Sequence, residues 1–180
     1  MKRFTGSLLF GLMILIGTAS FAQSPQSPLP AESNKALPGS TASDTVDVQH
    51  LIEDYHEAVV SHDGARLARL FIPEGSMWLN VLSDEAYARA KAKSPDAVKI
   101  RVGSYKDFAK LVSTSTARFN PTHTHLQENS DGTIASVYFD FVFLIDGKAE
   151  NHGSETWVLV KGTDSWRIAP ITYSSNPQMP

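Results

Sequence analysis

The chain has no cysteine, so neither a disulfide nor a lipid-bearing cysteine can form along it. A basic cluster is also missing: 16 Lys and Arg stand against 19 Asp and Glu, and the formal net charge is −3. A mildly acidic chain of this kind argues against nucleic acid and anionic membrane surfaces as partners. Phosphate loops, serine-centred nucleophile motifs and dinucleotide fingerprints are absent from the sequence too. We therefore expect no nucleic-acid partner and no cofactor.

The sequence lacks any apolar run long enough to span a bilayer. Its longest, Leu8 to Gly17, has about ten residues, follows Lys2 and Arg3, and leads to the small residues around Ala22. This pattern is typical of a cleaved export signal. We predict a signal peptide over 1–22, cut after Ala22, and a periplasmic or secreted protein without membrane contact after cleavage. Losing Lys2 and Arg3 takes the formal charge from −3 to −5.

Residues 23–43 are rich in proline and serine and show no apolar periodicity, which predicts a flexible tether. The folded domain is expected over 44–176. Apolar residues at helical spacing predict a long first helix and a short second one capped by Asp63. Two further helices are predicted over 83–95 and 104–112, the second opened by Ser104 with Asp107 three residues on, a capping-box pattern. Six strands are predicted over 77–82, 99–102, 122–128, 133–145, 149–160 and 166–173.

Most of the predicted helices come first in the chain and the long predicted strands come last, and this order indicates an α+β domain. The strings YHEAVVSHDGARLARLF, GSYKDFAKLV and GSETWVLVKGTDSWRIAPITYS resemble the nuclear transport factor 2-like superfamily, which includes SnoaL-like cyclases and ketosteroid isomerases. The resemblance covers Val46 to Ser174. It implies a cone-shaped curved antiparallel sheet with three N-terminal helices packed on one face, a cystatin-like roll. It also implies a homodimer formed through the outer face of the sheet.

A tight Asp146-Gly147 turn is expected to set the pairing of the two strands beside it. In that register one sheet face would carry an aromatic wall interrupted by three polar side chains, and helix 1 would send Tyr55 toward it. A mostly apolar surface with a few convergent polar groups is typical of a small-molecule pocket. The predicted wall consists of Phe139, Phe141, Phe143, His152, Ser154 and Thr156.

His123 and His125 lie one residue apart and therefore on one face of a regular strand. A two-residue Asp131-Gly132 turn places both on the outer face near Asp140, whereas a three-residue loop with a bulge would send both inward. We expect the outer face. His123, His125 and Asp140 are weak candidates for a metal site, and a His–Asp hydrogen bond at a dimer contact is the favoured interpretation.

The resemblance to ketosteroid isomerases also tests a catalytic role. Aligned with their first two helices, the oxyanion-hole tyrosine falls on Tyr55 and the catalytic aspartate falls on Leu79, beside Asn80. The second oxyanion-hole acid falls on Thr156. Leucine cannot accept a proton, so isomerisation by that route is not expected. His152 is the candidate substitute base, because imidazole titrates near neutral pH.

Three functions follow from these observations. The favoured hypothesis is an exported protein whose pocket binds a small apolar or aromatic ligand, with Leu79 among the lining residues. The alternative is a lyase, isomerase or cyclase that uses His152 and Tyr55 for acid–base chemistry. The third is a dimerisation module whose cavity is filled by its own side chains.

Overall fold

The computed structural model describes residues 42–178, so the predicted signal peptide and all but the last two residues of the predicted tether lie outside the described residues. Four helices and six strands follow one another, close to the predicted bounds. The helices are α1 (Ala42–Val60), α2 (Gly64–Arg69), α3 (Asp84–Lys93) and α4 (Tyr105–Thr114). The strands are β1 (Trp78–Leu82), β2 (Ile100–Gly103), β3 (Phe119–Ser130), β4 (Ile134–Ile145), β5 (Lys148–Lys161) and β6 (Trp166–Ser175). Among these residues, no helix has the length and apolarity that crossing a membrane requires.

The helix starts follow from capping side chains. Asp63 accepts a hydrogen bond from the backbone N–H of Arg66 and opens α2, and Ser104 accepts one from Lys106 and opens α4. Both caps confirm the prediction. The first helix begins at Ala42, slightly before the predicted domain start, and this places Asp44 in its first turn, where the carboxylate pairs with Lys161 on β5.

The sheet has the order β2-β1-β6-β5-β4-β3, and helices cover one of its faces. The α+β class and the curved sheet are confirmed. One pair departs from the predicted antiparallel arrangement, because β1 runs parallel to β6. A parallel pair needs a long connection, and the whole of α3, β2, α4 and β3 to β5 lies between these two strands.

The core lies between α1, α2 and the covered face of the sheet. Val48, Leu51, Ile52 and Val59 recur at helical spacing in α1 and are buried. On the sheet side the largest fully buried side chains are Trp157, Phe139, Leu159, Ile168 and Ile171.

The pairing of β4 with β5 departs from the predicted register at Glu150. The Asp146-Gly147 turn forms as expected, with positive φ at both residues, and Ile145 pairs with Lys148. Leu144 then pairs with Ala149 but Phe143 pairs with Asn151, which leaves Glu150 as the extra residue of a β-bulge. One extra residue reverses the side-chain direction of every later position in β5.

The β3–β4 hairpin also differs from the prediction. The turn is centred on Gly132 and Thr133, because the Asp131 side chain accepts hydrogen bonds from the N–H groups of Thr133 and Ile134 and closes it. A second irregularity then falls between Thr124 and Gln127, where His125 has a φ of 55°. The change at the turn shifts the pairing by two residues and keeps the predicted faces, so the irregularity at 124–127 decides where each histidine points.

Candidate functional site

A cavity of about 430 Å³ opens between the concave face of the sheet and helices α1 and α4. Its volume falls within the range of small-molecule pockets, roughly 300–1,000 Å³. Phe108 and Leu111 of α4 form one wall, facing Phe141 and Phe143 of β4. The other lining residues are Tyr55, Trp78, Asn80, Arg101, Val102, Gly103, Ser104, Asp107, Pro121, His123, Asn151, Glu155 and Tyr173.

Six of the 17 lining residues carry the aromatic ring of Phe, Tyr or Trp. Trp78 and Phe108 have ring centroids 5.3 Å apart, and Phe108 meets Phe143 edge-on at 6.1 Å. Phe141 meets Tyr173 in the same edge-on manner at 5.8 Å. Offset and edge-on contacts of this kind are favourable and stabilise the packing of the rings that line the cavity.

The polar side chains of β5 that face the cavity differ from the predicted ones by one residue position. Because of the bulge at Glu150, His152, Ser154 and Thr156 lie on the opposite face of the sheet from Phe141, and their prediction as inward-facing pocket residues is wrong. His152 pairs with Val142 and is exposed. Asn151 and Glu155 line the pocket instead.

Glu155 is the polar group that the sequence reasoning missed. Its carboxylate is buried and accepts a hydrogen bond of 2.6 Å from the indole N–H of Trp157. Burial raises the pKa of this carboxyl to about 7, and the hydrogen bond from Trp157 opposes the rise. A protonated fraction is therefore present at neutral pH, and the side chain can then donate as well as accept.

The two neighbouring histidines separate. His123 lines the cavity and packs on Phe139 with ring centroids 4.4 Å apart, so its predicted outer position is wrong. His125 lies on the outer face as predicted, and its Nδ1 is 3.0 Å from Asp140. The backbone irregularity at His125 is the cause, since one inserted residue puts neighbouring alternate positions on opposite faces.

Burial also shifts the pKa values of His123, Tyr55 and Tyr173 toward their neutral forms. It lowers the pKa of His123 to about 4, with a smaller contribution from His56, and raises the pKa of Tyr55 well above its ordinary value. The pKa of Tyr173 is raised mainly by burial as well. The charged residues Arg101 and Asp107 lie at the exposed rim. The interior is therefore uncharged near pH 6.

The remaining predicted residues divide between cavity and core. Tyr55, Phe141 and Phe143 line the cavity, whereas Phe139 is fully buried behind it and touches Trp157. Leu79 is not a lining residue: alternation along β1 gives that role to its neighbours Trp78 and Asn80.

The candidate metal trio is not assembled. His125 and Asp140 are joined on the outer face, where Ser154 also donates to Asp140 at 2.9 Å, but His123 is on the other side of the sheet. Between residues 42 and 178, no group of three or more His, Cys, Asp or Glu side chains is arranged to hold a metal ion.

Comparison with known proteins supports the fold. No protein-family model and no curated protein matches the chain. Solved structures do match. An NTF2-like protein of unknown function from Shewanella baltica has a TM-score of 0.54 at 14% identity, covering 78% of this chain and 100% of that one. Another from Pseudomonas putida has a TM-score of 0.57 at 13% identity, with coverages of 78% and 92%.

A third match is a protein of the NTF2-like family from Streptomyces avermitilis whose name proposes a dehydratase. It has a TM-score of 0.55 at 15% identity and covers 77% of this chain and 98% of that one. The chain therefore has the NTF2-like, cystatin-like fold that the resemblance implied.

Proposed function

We propose that the protein binds a small, largely apolar molecule built on one or two rings in the cavity between its sheet and helices α1 and α4. The observation that carries the proposal is the cavity itself, of about 430 Å³, lined by aromatic rings and a few inward polar groups. A cavity filled by the protein's own side chains would have suited a purely structural module. An open cavity with aromatic side chains in its walls suits a ligand that brings apolar surface and little charge.

The electrostatics of the cavity support an uncharged ligand. Glu155, His123 and Tyr55 all have pKa values shifted by burial toward their neutral forms. A buried ionic ligand would need a fixed opposite charge beside it, and the charged side chains that line the cavity, Arg101 and Asp107, lie at the exposed rim. The exposed apolar side chains of Val102 and Leu111 at the mouth favour the same class of molecule.

Charged substitutions at the mouth test the proposal. Val102 is 78% exposed and Leu111 is 50% exposed, so Val102→Asp and Leu111→Asp should leave the free energy of unfolding nearly unchanged. We expect each to weaken binding of 2-methylnaphthalene by about tenfold, since a ligand-contacting apolar surface is replaced by a hydrated carboxylate. Equilibrium dialysis measures the dissociation constants.

The matched control is Ile134→Asp, which introduces the same charge at a side chain that is 53% exposed and lies outside the cavity lining. Equal dissociation constants for the wild type, the mouth variants and this control would contradict the proposal that the ligand binds in the cavity.

A second candidate function is acid–base chemistry on the bound molecule. The specific observation in its favour is Glu155, a buried carboxyl in the cavity with a pKa of about 7, which suits a general acid or base near neutral pH. The alternative that relied on His152 loses its base, because that side chain is on the outer face. Tyr55 remains in the cavity.

Hydrogen–deuterium exchange into 2-tetralone tests this second candidate. The Glu155 carboxylate would remove a proton from the carbon beside the carbonyl and, after exchange with D2O, return a deuteron. We expect the protein-dependent rate, followed by NMR, to rise with pH through about 7 as the carboxylate forms. Glu155→Gln should lower the rate by about 100-fold and the exposed-site control Glu150→Gln should not. Equal exchange by both variants would remove the catalytic proposal and leave ligand binding intact.

A further inference from the structure

The pair formed by Asn80 and Tyr173 is the cavity feature that defines its ligand most closely. The two residues face each other across the parallel β1–β6 pair, and their side chains lie on the cavity side of the sheet. The Asn80 amide Nδ2 donates a hydrogen bond of 3.0 Å to the Tyr173 hydroxyl oxygen. This bond fixes the orientation of the amide, so its carbonyl oxygen has a fixed direction too.

The Asn80 carbonyl oxygen has no hydrogen-bond donor. Its Oδ1 is buried, and within the described part of the chain, residues 42–178, no group donates to it. Buried polar atoms are nearly always paired, and an unpaired acceptor on a residue that lines a cavity is explained most simply by a donor that a ligand brings.

Tyr173 supplies the complementary group. Its oxygen accepts a hydrogen bond from Asn80. This bond and one from the Trp78 indole lower the pKa of the phenol, but by less than burial raises it. An oxygen that accepts in this way keeps its own O–H proton for donation. Burial raises the pKa of the phenol above its ordinary value, so that proton stays in place over the physiological range. The pair therefore offers one acceptor and one donor side by side.

The surroundings restrict what can carry the matching group. Phe141 meets the Tyr173 ring edge-on at 5.8 Å, and Trp78 meets it edge-on at 6.3 Å. A polar group that reaches the pair is thus attached to an apolar body that covers these rings. A hydroxyl is the smallest group that donates one hydrogen bond and accepts another through the same atom.

We propose that the Asn80–Tyr173 pair recognises a hydroxyl group on a ring-bearing ligand, with Asn80 Oδ1 accepting the ligand O–H and the Tyr173 O–H donating to the ligand oxygen. The inference rests on the proposed function, because it concerns the same cavity. It adds the chemical class of the ligand: a phenol or a ring alcohol in place of a hydrocarbon, an ether or an ion.

Three naphthalenes of similar shape test the inference by equilibrium dialysis at pH 6. In 2-naphthol the substituent donates and accepts, in 2-methoxynaphthalene it only accepts, and in 2-methylnaphthalene it does neither. We expect the wild type to bind 2-naphthol at least tenfold more tightly than either of the others. Asn80→Leu should abolish that preference, because it removes the acceptor for the ligand hydroxyl. Tyr173→Phe should reduce the preference in the same way.

The control His152→Ala changes an exposed residue on the other face and should keep the full preference. Near-UV circular dichroism verifies that each variant is folded, and the wild-type comparison of the three compounds stands without any variant. Equal binding of all three, or binding of the ether as tight as that of 2-naphthol, would overturn the inference and leave the proposed function standing. No binding of any of the three would contradict the proposed function as well.

Discussion

Replacing Glu155 by glutamine is expected to raise the free energy of unfolding at pH 8 by about 3 kcal/mol relative to the wild type, and to leave it nearly unchanged at pH 4.5. Glutamine has the shape of the protonated carboxyl and keeps an oxygen that can accept from the Trp157 indole. It removes only the ionisation of a buried group. The expected difference follows from the pKa of Glu155, which burial raises from 4.5 to about 7, at roughly 1.4 kcal/mol for each pKa unit.

The sign of this effect follows from proton linkage. The folded-state pKa of Glu155 lies above its unfolded value, so the folded state holds this proton more tightly. The associated stability is fully present below pH 4.5, decreases as the pH rises through 7, and is absent above it. The difference between variant and wild type should therefore grow between pH 4.5 and 7 and then become constant.

Urea unfolding of both proteins from pH 4.5 to 8.5 measures the difference directly. Glu150→Gln is the matched control: it removes a carboxylate from the exposed bulge of the same strand and should change stability little at any pH. If the free energies of unfolding of Glu155→Gln and the wild type differed by the same amount at every pH, Glu155 would not be a buried ionisable group of the cavity.

His123 acts in the opposite direction and limits stability on the acid side. Burial lowers the pKa of His123 from 6.5 to about 4, so the folded state disfavours its charged form. The stability that it contributes is present above pH 6.5 and is lost as the pH falls through 4. Ionisation of Glu155 therefore lowers the free energy of unfolding as the pH rises above 4.5, and protonation of His123 lowers it as the pH falls below 6.5. Their opposing slopes overlap between these two values.

The elements of this fold could be predicted because each is signalled locally. Asp63 and Ser104 cap helices as expected, and the Asp146-Gly147 turn closes its hairpin at the predicted residues. These signals need only a few neighbouring residues, so propensity and turn chemistry specify them without knowledge of the tertiary structure. The predicted signal peptide and residues 23–41 of the predicted tether remain predictions, because they lie outside the described residues.

The site could be predicted only in part, because the side-chain directions along β3 and β5 depend on single inserted residues. Glu150 has no feature of its own that marks a bulge, and nearby Trp157 and Leu159 alternate with Val158 and Val160, so both faces of β5 look apolar. A period-2 pattern cannot choose a face in such a strand. The same holds at His125, where a non-glycine residue takes positive φ without a local signal. Consequently the prediction gives the phenylalanines their correct face of the sheet, places His123 on the wrong face and misses Glu155.

The position of α4, which carries one wall of the cavity, depends on a glycine in the neighbouring helix. Gly64 begins α2 and is buried against α4. A Cβ atom at this residue would lie 2.0 Å from the backbone oxygen of Ala109 and 2.1 Å from the Ser113 hydroxyl oxygen. Such distances are impossible, so any side chain here must push α2 and α4 apart.

Gly64→Ala is therefore expected to lower the free energy of unfolding by about 3 kcal/mol, at the upper end of overpacking effects. It should also weaken binding of 2-naphthol, since Phe108 and Leu111 move with α4. Urea unfolding measures the first effect and equilibrium dialysis the second. Ala65→Ser, at the exposed neighbouring position, is the control and should change neither quantity appreciably.

The source of the strain can be separated by a second substitution. Ser113→Ala removes the hydroxyl but leaves the Ala109 carbonyl, which belongs to the main chain and cannot rotate away. We expect the double variant Gly64→Ala with Ser113→Ala to recover only a small part of the lost stability. Full recovery would show that a movable side chain was the obstacle. Failure of Gly64→Ala to destabilise the protein would mean that the two helices are not in backbone contact. The aromatic wall of the cavity would then be held by the sheet alone.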